Sequence, residues 1–437
     1  MAKPLMGLTL DRLRQGDVSG LLLGFAVVLL LLAIPVVVLG AASPVLVHEA
    51  TRAGADVGGS AGHLGAVGTL GSLAGTFVCG IVLVPLAGTT ATFLTCGGLA
   101  MVAGATGAVL HGAQPRRTGV AAALAGLVVV GVAVSPSRAA SHSSHEEGRL
   151  LVERETPMNH LRVMEDKEHR TLSVNDGYAA QTVARVDGRA YLRGVWGYYA
   201  VAPGFAMQSP ERILVLGLGG GTSARDYVQR LPKAEVVAVE VDSGIVAVAR
   251  SHFGLPPSVE VHVEDARTFL AHDTRHYDLI VVDAFQFPYI PFQLTTREFY
   301  AEVRDHLQSG GAVMVNVGRK GQQRDVVHAI ASTLQTAFRY VHGTDVPHAT
   351  NTILVATDHP LSEAGGTKNV GFDAAELASL SDLVPLALWA VPADQRLVLT
   401  DDRAPVEWLT NTIVFRELAR LGGKATDRGM LTESDRL

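Results

Sequence analysis

Ile213-Leu-Val-Leu-Gly-Leu-Gly-Gly-Gly-Thr222 and, further along, Val239-Glu240-Val241-Asp242 decide how this chain folds. Each is an apolar run that ends in a chemically marked turn. The first ends in glycines that permit a tight turn and close backbone approach, ahead of a helix amino terminus that favours an anion. The second ends in a carboxylate that can accept two ribose hydroxyls, at the distance from the glycines that such recognition uses. Working outward, the spacing predicts strands over 212–217, 235–241, 259–263, 278–283 and 311–317. Helices are predicted between them, near 222–231, 243–252, 266–271 and 295–307, and a helix at 324–338 and a strand at 351–357 extend the pattern. Such alternation implies a parallel sheet with right-handed crossovers. Nearly unbroken apolar strands such as Leu279-Ile-Val-Val282 imply that both faces are covered.

Upstream the pattern changes. Residues 159–165 and 169–175 alternate around Asp166-Lys167-Glu168 and predict a β-hairpin in a small β region, 151–205, ahead of an α/β domain, 206–437. Before that, Pro136–Gly148 is small, polar and aperiodic, a linker at 138–150. His142 and His145 lack further ligands at metal-binding spacing, so no metal is expected.

The segment 1–137 is of another kind. It holds ten of the chain's 78 charged residues, against 68 in the remaining 300. The stretches 18–48, 57–115 and 118–137 carry no Asp, Glu, Lys or Arg. A transmembrane helix takes about 20 apolar residues, which predicts four spans: Gly20–Ala42, Gly62–Val84, Ala91–Gly112 and Gly119–Val134. The second stretch divides at Pro85-Leu-Ala-Gly-Thr-Thr90. Several separated runs argue against a cleaved signal peptide. Lys3, Arg12, Arg14, Arg138, Arg149 and Arg154 flank one side and Arg52, Arg116 and Arg117 the other, which places both ends and the soluble part in the cytoplasm of a multi-pass plasma-membrane protein. The spans lack buried charge, so a tether is favoured over a transporter. The soluble part holds 30 basic and 38 acidic residues, a balance that disfavours nucleic acid. Two cysteines exclude a disulfide scaffold.

In open α/β sheets ligands bind at the carboxyl ends of the strands. Those ends carry Gly217, Gly219 and Gly221; Glu240; Asp265-Ala266; and Asp283. This set predicts a nucleoside-containing cofactor with a polar second substrate. The glycine spacing is not that of a dinucleotide fingerprint, and Asp265-Ala266 resembles the adenine-binding position of class I S-adenosylmethionine-dependent enzymes.

With the hairpin, Asp176-Gly177 followed by Gln181, Glu264-Asp-Ala266, Asp278-Leu-Ile-Val-Val-Asp283 and Thr296-Arg-Glu-Phe-Tyr300, the span 150–320 resembles the spermidine synthase (polyamine aminopropyltransferase) family. The layout, with Leu399-Thr-Asp-Asp-Arg-Ala-Pro-Val-Glu407 at the end, is similar to its membrane-fused bacterial members. The resemblance implies a Rossmann-like methyltransferase fold, with decarboxylated S-adenosylmethionine or S-adenosylmethionine as co-substrate. It implies Gly217, Gly219, Gly221, Glu240, Asp265, Ala266 and Gln181 around the cofactor and Asp283 as base toward an amine acceptor. Gln286, Tyr289 and Asp402 are further candidates on the acceptor side, with Asp402 also able to cap a helix at 405–421. A homodimer is a possible assembly. The family's loop Asp is replaced by Gly220, its second strand-four Asp by Gln286, and its Tyr-Gln before the hairpin by Met158-Asn159. Methyl transfer and a non-catalytic nucleoside- or polyamine-sensing module therefore stand beside aminopropyl transfer.

Overall fold

A computed structural model describes residues 18–110, 148–175, 180–284, 290–319, 323–361, 370–373, 388–391 and 397–406, with 376, 380, 394 and 409. The chain divides into two compact units, chiefly residues 1–146 and residues 159–417.

In the first unit, α1 (Val18–Arg52) is followed by a turn in which Asp56 caps α2 (Val57–Phe77), accepting from the Gly59 N–H at 2.6 Å. A π-helical segment, Val78–Leu83, joins α2 to α3 (Val84–Leu110). No residue of α2 or of the π segment is buried. The expected division at Pro85–Thr90 is not a coil, because helical hydrogen bonding runs through it. Even so, the Cys79 and Cys96 sulfurs lie 3.5 Å apart. A straight helix would separate these two positions by about 25 Å, so the chain reverses between them. Pro85 follows a π turn whose Val84 N–H already reaches back to the Cys79 carbonyl, a common kink point. Among the described residues, the helix Val57–Leu83 is long and apolar enough to cross a membrane, and Ala91–Gly104 is a shorter apolar helix. On that criterion one of the expected spans, Gly62–Val84, has a counterpart among the described residues. The expected span Gly119–Val134 lies outside the described residues.

The second unit begins with a four-stranded antiparallel sheet in the order β1 (Arg149–Glu155), β2 (His160–Glu165), β3 (His169–Val174), β4 (Ala180–Arg185). The β2–β3 hairpin is the expected one. Asp166 closes its turn by accepting from the N–H groups of Glu168 and His169. Next come α4 (Gly194–Val201) and a 3-10 turn, Ala202–Phe205, and then the main alternation. This runs β5 (Arg212–Leu216), α5 (Thr222–Arg230), β6 (Glu235–Val239), α6 (Ser243–His252), β7 (Glu260–His262), α7 (Ala266–His272), β8 (Tyr277–Val282), α8 (Arg297–Asp305) and β9 (Leu307–Gly318). It finishes with α9 (Asp325–Leu334), β10 (Tyr340–Asp345), β11 (Asn351–Thr357) and the short β12 (Trp389–Ala390).

The large sheet has the order β12-β10-β11-β9-β8-β5-β6-β7. Strands β5 to β9 are parallel and β11, β10 and β12 antiparallel. Alternate residues supply two cores. Leu214, Leu216, Val237, Val239, Ile280 and Val282 pack on one face with Phe269, Phe299 and Ile330 of α7, α8 and α9. Ile213, Val215, Val236, Ala238, Leu279 and Val281 pack on the other with Tyr199 of α4, Tyr227 of α5 and Ala249 of α6. Period-two side chains on strands covered on both sides explain the continuous apolar runs. Burying each such Leu, Ile or Val contributes about 1.5–3 kcal/mol. The small sheet packs Leu161, Val163, Leu172 and Ala184 on Ile245 and Val248 of α6. This fixes β4 beside the turn that follows β5.

Helix α4 and strand β10 are among the elements that escaped the sequence pattern. Helix α4 reads Gly-Val-Trp-Gly-Tyr-Tyr-Ala-Val, apolar nearly all round, without a helical period. Strand β10 holds Tyr340, His342 and Asp345 among Val and Gly. It is a strand because β11 pairs with it along its whole length, Tyr340 to Thr357 through Asp345 to Thr352.

Candidate active site

Register builds the site. Leu216 lies level with Val239 on one neighbour and with Val282 on the other, and Val282 lies level with Val315. The next residue along each strand is therefore Glu240, Gly217, Asp283 and Asn316, a row across the carboxyl edge of β6, β5, β8 and β9. Strand β5 is the topological switch point, flanked by β6 on one side and β8 on the other, where a crevice opens in such sheets.

Gly217 has no alternative in that row. Its φ is +93°, and a Cβ there would lie 2.5 Å from the Asp283 carbonyl oxygen. The turn continues through Gly219 and Gly221, both with positive φ. Its backbone is held from two sides. The Leu218 and Gly219 N–H groups donate to Glu240 Oε2, each at 3.2 Å, and the Gly220 N–H donates to Thr182 Oγ1 at 2.7 Å. Gln181 precedes Thr182 on β4, so its backbone stands beside the glycine turn. A Cβ on Gly220 would meet the Thr182 side chain at 2.6 Å.

Glu240 is buried and also accepts from the Asp242 N–H at 3.1 Å. Burial raises its pKa and these three N–H donors oppose the rise. Asp242 caps α6 through the Gly244 N–H and receives Asn159 Nδ2 at 2.8 Å. Asp265 caps α7, with Oδ1 accepting from the Arg267 and Thr268 N–H groups, and Gln293 Nε2 lies 3.5 Å from Oδ2. Ala266 is buried behind it.

Asp283 retains some solvent access, but protein packed around its carboxyl disfavours the charge and pushes its pKa up to about 6. Tyr199 and Asn316 favour the ionised form, and the negative Glu240 disfavours it. Asn316 Nδ2 donates to Asp283 Oδ1 at 3.0 Å. The Tyr199 hydroxyl is buried and meets no acceptor at ordinary hydrogen-bond geometry, yet it lies near enough for the carboxylate to raise its pKa further. A buried carboxyl near 6 suits proton transfer close to neutral pH.

The structure thus brings Gln181, Gly217, Gly219, Gly221, Glu240 and Asp283 together, with Asp265 and Ala266 at the next strand end. Gln286 and Tyr289 lie outside the described residues. Asp402 is exposed in the turn Thr400–Arg403. Its neighbour Asp401 makes the contacts, taking both terminal nitrogens of Arg267 at 2.7 Å and Thr296 Oγ1 at 2.7 Å. Sequence reading missed Thr182, Tyr199, Asn316 and Asn351. Asn316 was signalled, as the one polar residue in Ala312-Val-Met-Val-Asn-Val317. Among the described residues, no cluster of three or more metal-ligating side chains occurs.

A nucleoside cofactor fits this edge. The glycine turn has no side chains to obstruct it, and Glu240 and Asp265 stand at successive strand ends, as ribose and adenine recognition requires.

Residues 198–357 match the spermine/spermidine synthase domain family. A probable polyamine aminopropyl transferase of Bifidobacterium longum is 32% identical over 284 residues, covering 60% of this chain and 63% of the relative. A polyamine aminopropyltransferase of Vibrio vulnificus is 38% identical over 112 residues, covering 24% of this chain and 38% of that protein. The chain therefore spans less than two thirds of the length of either relative. A probable spermidine synthase from Corynebacterium glutamicum superposes with a TM-score of 0.43 and 17% identity, over 65% of this chain and 98% of that one.

Proposed function

We propose that the protein is a membrane-anchored aminopropyltransferase that uses decarboxylated S-adenosylmethionine and an amine acceptor, with Asp283 as base. The observation that carries this reading is the Asp283 carboxyl, raised to about 6 at the switch point beside the glycine turn. The co-substrate would supply an electrophilic carbon next to a sulfonium. Gly217, Gly219, Gly221, Glu240, Asp265, Ala266 and Gln181 would bind and orient it. Asp283 would draw the cationic amine close and take one N–H proton, which frees the nitrogen lone pair to bond to that carbon. The carbon–sulfur bond breaks in the same step, and sulfur leaves as a neutral thioether. Alignment of the two reactants supplies much of the acceleration. Gln286, Tyr289 and Asp402 are proposed on the acceptor side.

Methyl transfer from intact S-adenosylmethionine is the second reading, favoured by one observation. Thr182 fills the space over Gly220, so this turn offers no carboxylate to a lone ammonium. Binding of S-adenosylmethionine, its decarboxylated form and 5′-methylthioadenosine to detergent-purified protein, followed by product analysis with di- and triamines, separates the readings. Aminopropylated product establishes the first. Preference for the intact co-substrate with no such product establishes the second. No binding of any leaves a non-catalytic module.

For the segment 1–137 we propose a multi-pass anchor of four spans in the plasma membrane, the catalytic domain cytoplasmic, a linker at 138–150, a small β region at 151–205 and the catalytic domain from 206. An apolar helix, Val57–Leu83, with none of its side chains buried supports lipid contact. A homodimer is part of the same proposal.

A further inference from the structure

Asp283 is not the last member of its hydrogen-bonded chain. Asn351, the first residue of β11, donates through Nδ2 to Asn316 Oδ1 at 2.9 Å, and Asn316 donates through Nδ2 to Asp283 Oδ1 at 3.0 Å. The strands make this contact natural. Asn316 pairs with Ile353 across the antiparallel β9–β11 ladder, so Asn351, on the same side of its strand as Ile353, is its diagonal neighbour on that face. Asn316 itself is buried.

An asparagine carboxamide has one accepting and one donating end, and which end faces a neighbour is set by its hydrogen-bond network. An ionised carboxylate only accepts. The amide oxygen of Asn316 turned toward Asp283 would repel it. Asn351 removes that choice, because its N–H holds the Asn316 oxygen on the far side. We propose that Asn351 and Asn316 form an amide relay that locks a donor onto Asp283, which makes both of them positioning residues for this carboxylate. The relay rests on the transferase reading only for its purpose, since its geometry is independent of any substrate.

Around Asp283 the relevant groups are Tyr199 from α4, Tyr227 from α5, Glu240 from the end of β6, Asn316 from β9 and the backbone of Gly217. Glu240 is the one other carboxylate among them, and it disfavours ionisation. Asn316 opposes that effect. Removing a hydrogen bond to the charged form raises a carboxyl pKa.

The test reads Asp283 directly. Infrared spectra of the full-length protein are recorded over a pH series, and the protonated-carboxyl band absent from Asp283→Asn is followed. The expected wild-type midpoint is near 6. Asn316→Ala should move it up by about one pH unit, the size of one hydrogen bond to a charged group. Asn351→Leu should move it in the same direction, Asn351→Gln should return it toward wild type, and Asn316→Ala with Asn351→Leu should match Asn316→Ala alone. An unmoved midpoint in Asn351→Leu, or shifts that add in the double variant, overturns the relay. Asn351→Ala replaces the leucine variant if thermal unfolding shows that variant misfolded. A shifted midpoint in a protein that transfers nothing sinks the transferase reading and keeps the relay. A fully active protein with an unmoved midpoint does the reverse.

Discussion

Asp283 joins its proposed role as base to a penalty in stability. Its folded pKa of about 6 lies above the ordinary 3.8 because burial disfavours the charge. A carboxyl raised on folding binds its proton more tightly in the native state. Its contribution to stability is therefore full below about pH 4 and is lost as pH rises through 6. At pH 7.5 the buried charge costs the native state on the order of 2–3 kcal/mol. Asp283→Asn should thus raise the unfolding temperature at pH 7.5, do little at pH 4, and lower transfer by about 10²–10⁴-fold. Calorimetric scans at both pH values beside a product assay check this, and equal effects on stability at the two pH values would contradict it. The same pKa predicts a wild-type kcat/KM that climbs with pH through a midpoint near 6 to a plateau about one unit higher. The identity of this residue was legible in the sequence, as the acid closing Asp278-Leu-Ile-Val-Val-Asp283. Its environment was not, because Tyr199, Asn316 and Asn351 come from three other elements, α4, β9 and β11, each remote from β8 along the chain. Spacing within a strand carries no information about such neighbours.

At the scale of elements, the turn after β5 and the end of α5 each carry a prediction. Gly217→Ala meets both a left-handed φ and the Asp283 carbonyl, so it should cost about 2–4 kcal/mol and abolish cofactor binding. Urea unfolding and calorimetric titration read the two effects. Helix α5 ends in Arg230, which pairs with Asp226 at 2.8 Å one turn back and with Glu376 at 2.7 Å. The Arg230 and Asp226 side chains are only 6% and 9% exposed, so neither charge has water as an alternative partner. Burial raises the Asp226 pKa, which the guanidinium counters. Arg230→Ala leaves that charge alone and should cost about 3 kcal/mol in urea unfolding, whereas Arg230→Met with Asp226→Asn should recover most of it. A small loss in the single variant would show that the segment around Glu376 contributes little to α5. The parallel strands and their helices were readable because each alternation is local. Strand β10 and helix α4 were not, since one depends on its pairing with β11 and the other is buried on nearly every side.

The whole molecule joins two kinds of chain, an apolar segment and an α/β unit. A helix such as Val57–Leu83, apolar and with no side chain buried, is stable in lipid and a liability in water. The sequence predicted more spans than the described residues display, since composition counts every apolar stretch alike. The count and the orientation are open to one experiment. Lys3, Arg12 and Arg14 precede the first apolar stretch, and Arg138, Arg149 and Arg154 follow the last. Cytoplasmic retention of these positive clusters requires an even number of spans between them. With Cys79 and Cys96 changed to serine, Arg116→Cys should react with a membrane-impermeant maleimide on intact cells. Ser141→Cys in the linker should react only after lysis. The unlabelled chain should stay in the membrane pellet at alkaline pH. Reaction of Ser141→Cys on intact cells would place the proposed catalytic domain outside and would overturn the anchoring proposal. Protection of both sites would leave the linker inside but remove the outward loop between the third and fourth spans, and the anchor would then be a pair of helices ending before Arg116.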